Sequence, residues 1–172
     1  MDDRSRDALI ARLIEASELH GDFVLSSGER SSVYFDKFQF LTRPDLLREL
    51  AHEVATLIPE GTDLLGAPEG AATLLVAAVS LETGLPVTVV RKEAKAYGTM
   101  AQVEGQATAG AKTVLLEDVS TTGHQVLAAA KALEASGVEV TRIILAIDRG
   151  GADQLRGAGY DVAAVAALRP VG

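Results

Sequence analysis

Apolar positions along this chain follow a helical rhythm in some segments and form short unbroken runs in others. Leu9, Ile10, Leu13 and Ile14 fall on one helix face, predicting a helix from about Ser5 to Leu19 that stops before His20-Gly21. Phe23–Leu25 and Val33–Phe35 are short β candidates joined by the polar run Ser26–Ser32, which predicts a hairpin outside the main sheet. The next helix opens with Pro44 and Asp45 in its first turn and aligns Leu46, Leu47, Leu50, Val54, Leu57 and Ile58 on one face.

From Asp63 onward strand and helix signals alternate. Asp63–Gly66 reads as a strand, Ala71–Glu82 as a helix and Val87–Val90 as a β-branched strand. Arg91–Gly110 has little periodicity, carries Gly98, Gly105 and Gly110, and predicts a long mobile connection. Thr113–Leu116 then reads as a buried strand and Gly123–Ala135 as a helix with Val126, Ala129, Ala130 and Leu133 inward. Gly137 closes the turn to a strand at Val138–Ile147, and a short helix at Asp153–Gly157 precedes a last strand at Asp161–Ala167. That order predicts an α/β fold, a central parallel sheet with helices on both faces.

Composition narrows the class. A length of 172 residues with 48% hydrophobic content fits one domain over residues 1–172 with a proper core. The net charge of −8 argues against a broad electrostatic grip on nucleic acid or on an acidic membrane. There is no cysteine, hence no disulfide or thiolate chemistry. Met1–Asp7 lacks the apolar core of a signal peptide, and the longest nearly apolar stretch, Ala71–Leu81, is too short for a bilayer. The expectation is a soluble cytoplasmic protein without nucleic-acid or membrane partners.

The richest segment is Thr113–Gly123, where an apolar run meets two adjacent acids and a small-residue turn that opens a helix. Carboxyl ends of strands in α/β sheets are where ligands bind, because helix N-termini and free backbone amides converge there. Glu117 and Asp118 suit the hydroxyls of a sugar, and the amides of Ser120–His124 suit a phosphate. Thr121 and Thr122 add hydroxyls, and Gly123 permits close backbone approach. Capping a helix needs far less than this. A second cluster, Arg91-Lys-Glu-Ala-Lys-Ala-Tyr-Gly, concentrates Arg91, Lys92 and Lys95 in an otherwise acidic chain, directly after a strand. It has the makings of a lid that excludes water and stabilises a departing anion. His20, His52 and His124 have no metal-ligand spacing.

Leu115–Gly123 closely resembles the phosphoribosyl pyrophosphate (PRPP) motif of the type I phosphoribosyltransferases. The resemblance gives the ribose hydroxyls to Glu117 and Asp118, and the 5′-phosphate to Ser120, Thr121, Thr122 and Gly123. Arg91–Gly98 resembles the catalytic loop of orotate phosphoribosyltransferases, Arg-Lys-x-x-Lys-x-His-Gly, with Tyr97 in the histidine place. A phenol titrates near about 10 and cannot supply an imidazolium at neutral pH, so Lys95 carries the main loop contribution. Leu25–Asp36 resembles the family's N-terminal hood signature, implying that Tyr34 and Phe35 stack on the pyrimidine. Many members have lysine where this chain has Ser26. Asp148-Arg149 matches the family's Asp-Arg-x-x-Gly with Gly151 one place early, which gives Arg149 the orotate carboxylate. Thr121 also faces the base. Gly66–Ala71 matches the pyrophosphate loop, carried over only for the backbone of Ala67–Ala71. Glu69 departs from it, since a carboxylate there repels an anion unless a cation intervenes.

The resemblance implies the type I fold with a small hood over about residues 1–40 and a core over about 41–172. It also implies transfer of the phosphoribosyl group to orotate, with Arg91, Lys92, Lys95 and Asp118 as the catalytic set. Arg91, Lys92, Lys95 and Tyr97 join the donor's ligands. Mg2+ arrives with PRPP rather than on a protein metal site, and family members are homodimers whose basic loop acts in the neighbouring subunit. Two alternatives stay open: another nucleobase, favoured by Ser26 and Tyr97, and a nucleotide-sensing regulator, which usually adds a DNA-binding region this chain has no residues for.

Overall fold

The computed structural model describes residues 3–24, 28, 30–93 and 102–168. Helix α1 (Asp3–Ser17) buries Leu9 and Leu13 and ends where the Ser17 hydroxyl turns back to donate to the Leu13 carbonyl at 2.6 Å. Strands β1 (Glu18–Val24) and β2 (Arg30–Phe35) form an antiparallel hairpin of their own, with an irregular register between His20 and Phe23. The hairpin is longer than its apolar residues predict, because β1 begins at Glu18, paired with Phe35. Most of its positions are exposed, so backbone pairing rather than burial extends it.

Helix α2 (Phe38–Leu41), which the apolar pattern does not reveal, is too short to show a period, yet it buries Phe40 and Leu41 completely. Helix α3 (Pro44–Thr56) begins as expected, with Pro44 in the first turn and Asp45 beside the helix N-terminus. Leu46, Leu50 and Val54 form its buried stripe.

The main sheet has the order β5-β4-β3-β6-β7-β8. Its parallel strands are β3 (Leu64–Pro68), β4 (Val87–Val90), β6 (Lys112–Ser120), β7 (Glu139–Asp148) and β8 (Val162–Ala167). Strand β5 (Val103–Gly105) runs antiparallel at the edge beside β4, inside the segment expected to be a plain connection. Gly105 is needed there: φ is 100°, and a Cβ would stand 2.6 Å from the Val87 carbonyl oxygen.

Both faces of the sheet are covered, which is why its strands read as apolar runs. Val114, Leu116, Ile144 and Ala146 pack with α1, α2, α3 and α4 (Ala72–Thr83) on one face. Leu115, Ile143 and Leu145 pack with α5 (His124–Ala135) and α6 (Ala152–Gly157) on the other. Among the described residues no helix is long and apolar enough to cross a membrane. The chain order reverses between the adjacent strands β3 and β6, and the crevice at such a switch point is the ligand position of open α/β sheets.

Candidate active site

Strand β6 carries the first element of the site further than the sequence predicts. Thr113–Leu116 is only its start: the strand continues through Glu117 and Asp118 to Ser120, so the acids lie in the strand's end rather than in a loop. The cause is pairing with β7, where Glu117 stands opposite Leu145 and Ser120 opposite Asp148. Both acids are buried, Glu117 4% and Asp118 0% exposed. Both curl back onto the strand: Glu117 Oε1 accepts from the Asp118 amide at 3.2 Å, and Asp118 Oδ1 from the Val119 amide at 2.5 Å. Burial, with the neighbouring Asp118 charge second, pushes the Glu117 carboxyl up to about 8, and Lys37 opposes the rise.

Lys37 has no place among the residues that the sequence singles out. Its Nζ donates to Asp118 Oδ1 at 3.0 Å. The partners are 81 residues apart, so no local pattern marks the pair. The available signal is a cation just beyond the end of β2, directly after Asp36. Lys37 and Glu117 line one small cleft of about 120 Å³ with Thr121, Thr122, Gly123 and His124.

Thr121 and Thr122 are exposed at the rim of this cleft, and Gly123, with φ of 76°, is the N-cap of α5. The helix has no side-chain cap. The first amides of a helix lack intrahelical partners, so these donors can meet an anion. The loop is held from behind by the turn after β7. The Arg149 amide donates to the Ser120 carbonyl at 2.7 Å, and Asp148 Oδ1 accepts from the Gly150 and Ala152 amides at 3.0 and 3.1 Å. A Cβ on Gly151 would lie 2.0 Å from the Ser120 hydroxyl oxygen and 2.9 Å from the Gly123 amide nitrogen, so this position has no room for a side chain. That hydroxyl is itself buried without a hydrogen-bond partner among the described residues.

The Arg149 guanidinium lies over the Phe35 ring, 4.8 Å from its centroid. Tyr34 is 41% exposed and packs instead against Phe23, ring centroids 5.6 Å apart. The aromatic pair is therefore divided, with Phe35 beside Arg149 and Tyr34 in the hairpin.

Arg91 and Lys92 stand at the end of β4. Glu69 turns towards them: its Oε1 accepts from the Lys92 amide at 2.8 Å and its Oε2 lies 3.7 Å from Arg91 Nη1. Its own amide donates to the Val90 carbonyl at 2.8 Å. The carboxylate that stands awkwardly in the Gly66–Ala71 motif thus tethers the root of the basic segment to the loop after β3. An apolar-walled cavity of about 320 Å³ opens beside it, lined by Pro68, Val90, Arg91, Lys92, Gln102 and Gln125. Lys95, Tyr97 and Ser26 lie outside the described residues. No group of three or more His, Cys, Asp or Glu able to hold a metal occurs among the described residues.

Residues 41–162 match the model of the phosphoribosyl transferase domain. An orotate phosphoribosyltransferase of Nocardioides sp. is 45% identical over 149 residues, covering 86% of this chain and 83% of that protein. One from Thermococcus gammatolerans is 39% identical over 162 residues, covering 91% and 86%. The crystal structure of Mycobacterium tuberculosis orotate phosphoribosyltransferase in complex with Fe(III) dicitrate superposes with a TM-score of 0.85 at 27% identity, covering 95% of this chain and 96% of that one.

Proposed function

The chain belongs to the orotate phosphoribosyltransferases, and from that premise we propose that the crevice at the end of β6 is where it holds its sugar-phosphate donor. It transfers the phosphoribosyl group of PRPP to orotate, giving orotidine 5′-monophosphate and pyrophosphate in pyrimidine biosynthesis. Glu117 and Asp118 accept hydrogen bonds from the ribose hydroxyls. The amides of Thr121–His124 and the Thr121 and Thr122 hydroxyls hold the 5′-phosphate at the start of α5. The observation that carries this assignment is a cleft where the buried Glu117, with Asp118 directly behind it in the strand, meets an uncapped helix N-terminus.

The rest of the reaction follows from charge. As pyrophosphate leaves, C1′ becomes electron-poor and negative charge gathers on the departing oxygens. Arg91 and Lys92, at the end of β4, and Lys95 beyond them neutralise that anion, with Tyr97 as a further hydrogen-bond donor to it. The acids keep the ribose fixed, so little acid or base chemistry is asked of the protein. On the acceptor side, Arg149 pairs with the orotate carboxylate, Phe35 holds the guanidinium from below, and Thr121 borders the base.

Magnesium fits this cleft as a companion of the donor. It prefers hard oxygen ligands and keeps several waters, and the Thr121 and Thr122 hydroxyls offer oxygen donors at the rim. Bound to the pyrophosphate, the ion supplies positive charge to the leaving group. Two copies of the chain form the working unit, and the basic loop of one completes the site of the other. The test of the acceptor is consumption of orotate, followed by its absorbance with Mg2+ and PRPP, against uracil, hypoxanthine, guanine and adenine. Loss of orotate alone is expected. Turnover of another base in its place refutes the role given to Arg149.

A further inference from the structure

Lys37 lies outside every motif that resembles the family's, yet it lines the cleft and pairs with Asp118, the fully buried carboxylate next to the cleft's Glu117. Its position is set locally. Asp36 accepts from the Phe38 amide and from the Gln39 side-chain amide, both at 3.0 Å, and its own amide donates to the Ser17 carbonyl at 2.9 Å. The turn holding Lys37 is thus tied to α1 on one side and to α2 on the other, and α2 is anchored by Phe40 and Leu41 in the core. From that turn the side chain crosses to the end of β6, where its Nζ meets Asp118 Oδ1 at 3.0 Å.

Asp118 depends on this contact. It is 0% exposed, and its second oxygen, Oδ2, is buried without a hydrogen-bond partner among the described residues. A buried carboxylate stays ionised and in place only where a countercharge compensates its lost water. The neighbouring Glu117 feels the Asp118 charge as well, which helps to hold its own carboxyl in the protonated form. The Lys37 side chain is itself 38% exposed and borders the cleft with Glu117 and the Thr121–Gly123 loop, so its charge serves both acids.

We propose that Lys37 is a positioning residue for the donor's sugar: through Asp118 it balances and immobilises the acid pair, so that ribose hydroxyls meet acceptors already set in place. The inference deepens the assignment of Glu117 and Asp118 to the ribose and rests on it. It also makes the hood part of the donor site, since the turn that ends the hairpin carries the cation.

The test is calorimetric binding of ribose 5-phosphate and of inorganic phosphate to the full chain and to K37M, K37R and D118N. K37M is expected to weaken ribose 5-phosphate about tenfold or more and to leave inorganic phosphate within about twofold, with K37R restoring most of the loss. In turnover, K37M raises the KM for PRPP while the KM for orotate stays unchanged. Equal weakening of both ligands makes Lys37 a direct phosphate ligand and overturns the proposal, as does no weakening of either. If K37M does not fold, K37Q and K37R carry the same comparison. D118N guards the underlying assignment: unchanged ribose 5-phosphate affinity in that variant refutes the sugar site itself, whatever Lys37 does.

Discussion

At the scale of single residues the site is governed by how it handles buried charge. Glu117 ordinarily titrates at 4.5 but is pushed up to about 8 in the fold, chiefly by burial. In that window the native carboxyl keeps a proton that the unfolded one has lost. Stability therefore falls as pH rises from about 4.5 to about 8, at up to about 1.4 kcal/mol per unit, and levels off above. Urea unfolding across that range should show the decline in the wild type and lose it in Glu117→Gln. Asp118→Asn should cut kcat/KM by about ten- to a hundredfold, because a charged acceptor of a sugar hydroxyl becomes a neutral amide. Arg149→Ala should raise the KM for orotate by a similar factor and leave that for PRPP within about threefold, measured by varying each substrate. Lys37 shows why some residues of a site escape a reading of the sequence: its significance lies in a partner 81 positions away. Glu69 is the converse case. It stands out in its motif as an unwanted charge, and only the fold reveals Arg91 and the Lys92 amide beside it.

At the scale of elements, legibility follows burial. The stripe of α3 and the runs of β3, β6 and β7 are visible in the sequence because the sheet is covered on both faces and helices cover it with one face each. The hairpin is only half visible, since β1 and β2 are mostly exposed and their length is decided by cross-strand pairing. Helix α2 and strand β5 are too short to repeat a pattern, and β5 pairs along the edge that β4 offers. Polarity misplaces the end of β6 for the same reason: Glu117 and Asp118 look like a loop until β7 pairs alongside them. The turn after β7 also has an element-level consequence. Gly151→Ala would drive a methyl into the Ser120 hydroxyl, where the gap is only 2.0 Å. It should lower stability by about 1–3 kcal/mol in chemical denaturation and weaken inorganic phosphate binding, and adding Ser120→Ala should recover part of both losses.

At the scale of the whole molecule, an acidic chain sets several of its cations around the place proposed for an anionic substrate. The net charge is −8, yet Arg91 and Lys92 stand at the end of β4, Arg149 follows β7 and Lys37 follows the β1–β2 hairpin. The strand order brings the loops after β3 and β6 side by side although roughly fifty residues separate them, a juxtaposition that follows from parallel topology. If the basic loop serves the neighbouring subunit, mixing Lys95→Ala chains with Asp118→Asn chains should restore activity to about a quarter of wild type at equal proportions, through hybrid dimers holding one intact site. Absence of any recovery, with heterodimers demonstrated by mass spectrometry, would show that each site uses its own loop.

The most direct measurement is a crystal structure with PRPP and Mg2+ bound. The expected electron density places the ribose hydroxyls on Glu117 and Asp118 and the 5′-phosphate on the amides at the start of α5. Density for the donor away from the end of β6, or a ribose whose hydroxyls touch neither carboxylate, would contradict the assignment.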